Sequence, residues 1–271
     1  MAWWEAGLLG LLQGLTEFLP ISSSAHLVLG QEALGIEGQG DLMFEVFVHL
    51  GTALSIVTLY RRRIVAIVME TAKAVRSPVA VYRQSPNARL GLFILLTLAP
   101  TGLTYVLLTE PLEAAFESTR LTYAMLLVTG MLLLLTVAKK HADGRLSPWK
   151  VLLVGVAQSA AFLPGISRSG ATICAALYQN VQPQTAADFA FLMAVPVIFG
   201  AAFVKGLTLL EAPSHEGVLA LTVGTAVAYL SGIVAIKVVL GFVRRGRLHY
   251  FSYYCFGIGI LGLLLGQQGI S

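Results

Sequence analysis

Two segments of the chain place acidic, basic, imidazole and hydroxyl side chains inside otherwise apolar sequence. The first is Gln13–His26 (QGLTEFLPISSSAH) and the second is Gln158–Thr172 (QSAAFLPGISRSGAT). Their centres repeat each other, because Phe18–Ser24 aligns with Phe162–Ser169 when Gly165 is treated as an insertion. Isolated polar groups are costly within a membrane, so the pairing predicts one shared site formed by two halves of the protein.

The first segment combines a carboxylate with an amide on one helical face. Gln13 and Glu17 are four residues apart, so if Leu8–Phe18 is helical they could hold one proton, cation or phosphate-bound water between them. Pro20 is predicted to end that helix. A Glu without an obvious partner in a membrane segment is expected to be functional.

Hydroxyls follow this carboxylate. Ser22, Ser23 and Ser24 occupy the predicted break, where free backbone N–H groups and hydroxyls can bind an anion, and His26 begins the next helix. Each serine could instead cap a helix, and His26 could be a satisfied core histidine. The spacing of Ser23 and His26 favours the alternative of a nucleophile beside a base.

The second segment supplies a cation. Arg168 lies between Ser167 and Ser169, and its forked guanidinium together with exposed amides and hydroxyls suits a phosphate group. Gly165 and Gly170 would let the backbone approach a ligand closely. A structural Arg168 that pairs only with Glu17 is the alternative. The segment lacks the lysine of a P-loop, so nucleotide hydrolysis is not expected.

Composition identifies the class of protein. The 271 residues are 56% hydrophobic and 12% charged, with a mean hydropathy of +0.79, whereas soluble domains carry roughly 25% charged residues. The sequence therefore predicts an integral membrane protein with a single membrane domain over residues 1–271, and no nucleic-acid partner is expected.

The distribution of basic residues predicts the orientation. Fourteen of the 18 Lys and Arg fall in Arg61–Arg89, Lys139–Lys150 and Arg244–Arg247, which are expected to face the cytoplasm. The acidic connections Glu110–Glu117 and Glu211–Glu216 then face outward. An amphipathic stretch, residues 64–75, is expected to lie along the inner leaflet. The six predicted spans are Phe44–Tyr60, Leu90–Leu108, Leu121–Ala138, Phe189–Leu209, Val218–Phe242 and Tyr250–Leu265.

The remaining apolar stretches are predicted to be re-entrant. Residues before Phe44 and residues 151–178 must each begin and end on one side of the membrane, and each has a Pro and Ser/Gly break at its centre. We therefore expect an all-α membrane fold of about six transmembrane helices and two re-entrant hairpins. The hairpins belong to inverted repeat halves of approximately residues 1–140 and 150–271. Ordinary spans kinked by Pro and Gly are the alternative.

At these residues the chain resembles the bacterial undecaprenyl-diphosphate phosphatases associated with bacitracin resistance, over essentially its whole length. The Glu/Gln-x-x-x-Glu motif is met by Gln13 and Glu17, and the Pro-Gly-x-Ser-Arg-Ser-x-x-Thr motif is met by Pro164–Thr172. The resemblance places the family's functional positions on Glu17, Ser23, His26 and Arg168. Gln13 stands where many relatives have Glu.

The resemblance implies an activity. The expected reaction removes the terminal phosphate of undecaprenyl diphosphate at the outer face of the bacterial cytoplasmic membrane, with Mg²⁺ or Ca²⁺ required, which recycles the lipid carrier of cell-wall synthesis. The metal would lie near Gln13 and Glu17. Arg168 and the two breaks would hold the diphosphate. The expected substrate-binding residues are Ser22, Ser24, Gly165, Ser167, Ser169, Gly170 and Thr172.

Some alternatives stay open from sequence. The attacking group is Ser23, activated by His26 or Glu17, or a water held by the same base. A transporter or flippase for the same lipid would also use inverted repeats and hairpins, and an intramembrane serine protease is a third class. The oligomeric state is not fixed by the sequence, and a homodimer is one option.

Overall fold

The protein is described from a computed structural model that covers residues 1–36, 42–74, 82, 84–116, 118–139, 143–209 and 217–265. Within these ranges the named secondary-structure elements are all helices. In chain order they are α1 (Trp3–Phe18), α2 (Ser23–Ala33), α3 (Leu42–Ala74), α4 (Pro86–Phe116), α5 (Thr119–Leu135) with a 3₁₀ turn at Thr136–Lys139, α6 (Pro148–Ala160), α7 (Arg168–Tyr178), α8 (Pro183–Leu209), α9 (Val218–Arg244) and α10 (Tyr250–Leu265).

Five of these helices are long and apolar enough to cross a membrane, namely α3, α4, α5, α8 and α9, and α10 is a shorter apolar helix. Their outward faces carry many exposed large apolar side chains, including Val106, Phe203 and Val218, as expected of surfaces that contact lipid. The predicted all-α integral membrane fold is confirmed, and the chain is a multi-pass membrane protein.

Two helix ends differ from the sequence prediction. The span predicted to stop at Leu108 is kinked there, with φ −124° and ψ 17°, but α4 continues to Phe116, so most of the first acidic connection is helical. Residues 64–74 continue α3 without interruption, so the amphipathic stretch is the last part of a 33-residue helix, and its position along the inner leaflet stays a prediction. The second acidic connection, residues 211–216, lies outside the described residues.

The two predicted hairpins are α1–α2 and α6–α7. Helices α2 and α7 have 11 residues each and α6 has 13. At about 1.5 Å per residue an 11-residue helix is roughly 16 Å long, too short for a hydrocarbon core of about 30 Å. The order of a hairpin followed by three further helices then occurs twice along the chain, as a duplication predicts, although the last of these helices, α10, has only 16 residues. The opposed orientation of the halves stays a prediction.

Each hairpin packs mainly on a long helix from the other half. Helix α1 lies along α9, and α6 lies along α4. The first contact is close because Gly10 of α1 faces the backbone of α9, where a Cβ would stand only 3.0 Å from the Cα of Gly224. In the second contact the amide of Gln158 donates to the hydroxyl of Thr101 at 2.9 Å. This exchange brings the breaks of both hairpins together inside the bundle.

Candidate active site

The tip of α1 meets the start of α7 through one ion pair. Nη2 of Arg168 donates to Oε1 of Glu17, although the two residues are 151 positions apart in the chain. The Glu17 side chain is only 3% exposed, whereas that of Arg168 is 22% exposed. A buried carboxylate needs a compensating charge, so this pair joins the two hairpins while leaving one face of the guanidinium accessible.

The other oxygen of the same carboxylate accepts hydrogen bonds from two side chains of the first hairpin. Nε2 of Gln13 donates to Oε2 of Glu17 at 2.9 Å, and the Ser23 hydroxyl donates to it at 2.7 Å. Gln13 and Glu17 therefore share a helix face, as their spacing predicts. The carboxylate is positioned to accept the proton of Ser23 without any side-chain movement.

The break before α2 has an uncommon backbone geometry. Ser22 has φ +71°, a region that residues other than glycine rarely adopt. Its side chain is buried, and its hydroxyl lies 3.2 Å from that of Ser24. Ser23 and Ser24 are half-buried. The turn thus places the Ser23 hydroxyl toward Glu17 at a partly accessible position.

His26 is held on both ring nitrogens. Nδ1 lies 2.7 Å from the carbonyl oxygen of Ser22, and because a carbonyl only accepts, Nδ1 carries the hydrogen. Nε2 of the neutral ring then accepts from the Tyr254 hydroxyl at 2.7 Å, and the two rings stack with centroids 5.5 Å apart. The hydroxyl of Ser23 contacts Glu17 rather than His26. His26 is therefore placed to hold the backbone of the Ser22 turn.

The second hairpin presents hydroxyls around Arg168. Ser167 caps α7, since its hydroxyl accepts from the backbone N–H of Gly170 at 3.2 Å. The hydroxyls of Ser167 and Ser169 are 3.1 Å apart, and Ser169 also donates to the carbonyl of Leu19 at 3.3 Å. This hydroxyl pair repeats the spacing of Ser22 and Ser24 in the first hairpin.

The other predicted substrate-binding residues of the second hairpin are Gly165, Gly170 and Thr172, and each contacts neighbouring protein atoms. Thr172 donates to the carbonyl of Arg168 at 2.8 Å. A Cβ on Gly170 would stand 3.2 Å from Cβ of Pro20, so this position lies where the two breaks meet. Gly165 has φ +95°, and its Cβ position is occupied by the backbone of α5 near Thr122. Close packing between helices therefore explains Gly165, and a contact of this glycine with a ligand stays a prediction.

Comparison with known proteins identifies the family. The family model described as bacitracin resistance protein BacA matches residues 6–261, which include the breaks of both hairpins. The chain belongs to this family. It is 58% identical over 269 residues to an undecaprenyl-diphosphatase of Salinibacter ruber, covering 98% of this chain and 100% of the relative. Undecaprenyl-diphosphatases of Bacteroides fragilis (35% identity, 98% and 99% coverage) and Korarchaeum cryptofilum (38% identity, 96% and 98% coverage) are also similar.

Three polar residues near this BacA-family site were missed in the sequence. Nε2 of His49 lies 3.8 Å from Oε2 of Glu17, and its Nδ1 lies 2.7 Å from the carbonyl of Glu45. Tyr254 contacts His26, and the Thr129 hydroxyl accepts from the Ser167 N–H at 3.1 Å and donates to the Gly165 carbonyl at 2.8 Å. His49 could have been found, since it is an ionisable side chain inside a predicted span. Tyr254 and Thr129 carry no such signal.

The side chains around Glu17 supply only part of the ligands that a divalent metal ion needs. No cluster of three or more His, Cys, Asp or Glu residues capable of holding a metal occurs in the part of the chain that the structure describes. Oε1 of Gln13, however, is buried without a hydrogen-bond partner among those residues, and it belongs to the residue that contacts Glu17. A buried carbonyl oxygen without a partner beside a carboxylate suits a hard cation. The remaining ligands of such an ion would have to come from substrate phosphates or water.

Proposed function

We propose that this chain hydrolyses undecaprenyl diphosphate to undecaprenyl phosphate and inorganic phosphate. The activity is the one named for relatives that align with 96% or more of the chain. One observation supports it most directly: the Ser23 hydroxyl and the Arg168 guanidinium bind the two oxygens of the buried carboxylate of Glu17. A nucleophile, a base and an anion-binding cation are thus contributed by two hairpins to one place.

Arg168 and the hydroxyls of both breaks are proposed to bind the diphosphate. One nitrogen of the guanidinium is engaged with Glu17, which leaves other N–H donors of the fork for phosphate oxygens. Ser24 and Ser169 lie in the first turns of α2 and α7, directly after the two breaks, and add hydroxyl donors. The apolar outer faces of the bundle suit the polyprenyl tail.

Ser23 is proposed as the nucleophile and Glu17 as its base. As the Ser23 oxygen bonds to the terminal phosphorus, its proton passes to Oε2 of Glu17, and the bond between that phosphorus and the bridging oxygen breaks. The leaving group is undecaprenyl phosphate. Water then attacks the phosphoserine, the bond between the serine oxygen and phosphorus breaks, and inorganic phosphate leaves. A water molecule activated directly by Glu17 is the alternative.

Mg²⁺ or Ca²⁺ is proposed to assist from the side of Gln13. The oxygen of Gln13 that lacks a partner and the carboxylate of Glu17 are the residues that would hold it. When bound, the ion would neutralise charge on the phosphate oxygens. His26, tied to the Ser22 carbonyl and to Tyr254, would keep the turn in the geometry that aims Ser23 at Glu17.

The cellular site is proposed to be the outer face of the bacterial cytoplasmic membrane. Support comes from the basic residues, which cluster at one end of the long helices and favour the cytoplasmic side. The α1–α2 hairpin then enters from outside. Translocation of the lipid without hydrolysis is not favoured, because it would not require a hydroxyl hydrogen-bonded to a buried carboxylate.

Phosphate release by purified protein in detergent tests the proposal, since no two compartments exist there. We expect inorganic phosphate and undecaprenyl phosphate in equal amounts from the wild type. Arg168→Lys keeps the charge but loses the fork, and should lower the rate by about a hundredfold, corresponding to roughly 3 kcal/mol. The exposed Arg120, at the start of α5, provides the matched control Arg120→Lys. A rate near that of wild type in Arg168→Lys would contradict the phosphate-binding role.

A further inference from the structure

A second polar cleft lies at the end of the bundle that carries the basic segments. It has a volume of about 670 Å³ and is bordered by α3, α4, the residues just before α6 and the start of α8. Its residue Arg63 is on the same helix as His49 of the active site, but further along α3 by roughly 21 Å at 1.5 Å per residue. The cleft is therefore separate from the hydrolytic site.

The lining of the cleft is strongly basic. Arg63, Arg89 and Arg145 contribute from three different segments, and Asp143 is the only acidic residue among the described lining residues, which together carry a net charge of +2. Arg63 donates to Asp188 at 3.2 Å. Arg89 and Arg145 form no ion pair with any residue in the described ranges. Two guanidinium groups therefore remain available for an anion.

The same cleft has an apolar side. Pro86, Leu90 and Phe93 come from the first turns of α4, and Leu146 comes from the segment before α6. Leu90 and Leu146 are half-buried. A free phosphate ion would gain nothing from these side chains, whereas the glycerol and first methylenes of a lipid would remove them from water. Charge and apolar surface together fit a lipid better than a soluble anion.

Position favours the same occupant. Arg89 lies in the first turn of α4, and Arg145 lies three residues before α6 begins, so both are at helix ends where a membrane protein meets lipid headgroups. Basic pockets between membrane helices attract the anionic lipids of the adjacent leaflet. We propose that this cleft is a binding site for the phosphate headgroup of an anionic phospholipid, held by Arg89 and Arg145.

Native mass spectrometry of the delipidated, detergent-solubilised protein tests this proposal. The probes are phosphatidylglycerol, phosphatidylcholine with the same acyl chains, and soluble glycerol phosphate. We expect the first phosphatidylglycerol to bind more tightly than phosphatidylcholine. Each arginine removed should weaken that binding about fivefold, so Arg89→Gln/Arg145→Gln should weaken it about twenty-five-fold. The single change Arg145→Gln should by itself weaken the binding about fivefold. It carries little risk to folding because Arg145 is exposed.

The control removes equal charge outside the cleft. Arg62 and Arg245 are exposed and do not line the cleft, so Arg62→Gln/Arg245→Gln should leave the first lipid bound as in wild type. Equal loss in this control, or no loss in the cleft variants, would overturn the proposal. Displacement of phosphatidylglycerol by an equal concentration of glycerol phosphate would assign the cleft to soluble phosphates instead. Hydrolysis of undecaprenyl diphosphate should be unchanged in the cleft variants, which verifies their folding.

Discussion

At the scale of single residues, Glu17 organises the site. It accepts hydrogen bonds from Gln13, Ser23 and Arg168, so the structure brings together side chains of both predicted segments. That prediction was possible because polar groups inside apolar sequence are rare and costly. The partner of His26 could not be predicted, since Tyr254 comes from a distant helix and an interfacial tyrosine is ordinary in a membrane protein.

Ser23→Ala separates the serine mechanism from the water mechanism. If Ser23 attacks phosphorus, the change should lower turnover by about a thousandfold or more and leave diphosphate binding close to normal, because the hydroxyl acts mainly in the transition state. The neighbouring Ser22→Ala is the matched control and should be much milder. Rapid-quench experiments with substrate labelled on the terminal phosphate should trap label on the wild type only. Substantial turnover by Ser23→Ala would leave a water activated by Glu17.

Tyr254→Phe tests whether Tyr254 positions His26. The change removes the hydroxyl that donates to Nε2 of His26 but keeps the stacked ring. A typical intramolecular hydrogen bond contributes about 1 kcal/mol, so we expect kcat to fall roughly fivefold with little change in KM. Tyr253→Phe is the control, because Tyr253 is 64% exposed on the same helix. Equal effects of the two changes, or a rise in KM alone, would exclude the positioning role.

At the scale of helices, the membrane spans were predicted more reliably than their ends. Five of the six predicted spans fall on helices long and apolar enough to cross a membrane, α3, α4, α5, α8 and α9, and the sixth falls on the shorter apolar helix α10. The errors have physical causes: α3 passes straight through Arg61, Arg62 and Arg63, because long basic side chains can extend to the headgroups without ending a helix. Composition therefore indicates where a span leaves the lipid, but not where its hydrogen bonding stops.

Gly165→Ala tests the packing that holds the second break. Its φ of +95° and the α5 backbone at its Cβ position both disfavour a side chain. We expect a loss of about 2 kcal/mol or more in stability, seen as a thermal midpoint in detergent lowered by about 5 °C or more. Gly102→Ala in α4 is the control, since nothing lies within 4 Å of its Cβ position. An unchanged midpoint for Gly165→Ala would show that α5 does not confine the break.

At the scale of the whole molecule, each hairpin packs on a helix of the other half, and this packing explains why one site needs both halves. Helix α1 packs on α9 and α6 packs on α4, so neither break could reach the other if each half folded on itself. The internal repeat of Phe-Leu-Pro and serines made two related hairpins predictable. Their mutual packing was not, because the Gly-x-x-x-Gly spacing of Gly10 and Gly14 indicates a close helix contact without identifying the partner helix.

Cysteine accessibility in intact cells tests the orientation of this assembly. In a Cys174→Ala/Cys255→Ala background, which removes two buried thiols, a cysteine at Glu110 should react with an impermeant thiol reagent added outside. A cysteine at Arg145 should react only after the membrane is permeabilised, because basic segments stay in the cytoplasm. Both positions are exposed, so access to the reagent depends on the side of the membrane. Reaction of Arg145→Cys from outside would reverse the orientation and place the α1–α2 hairpin, with the proposed nucleophile Ser23, on the cytoplasmic side.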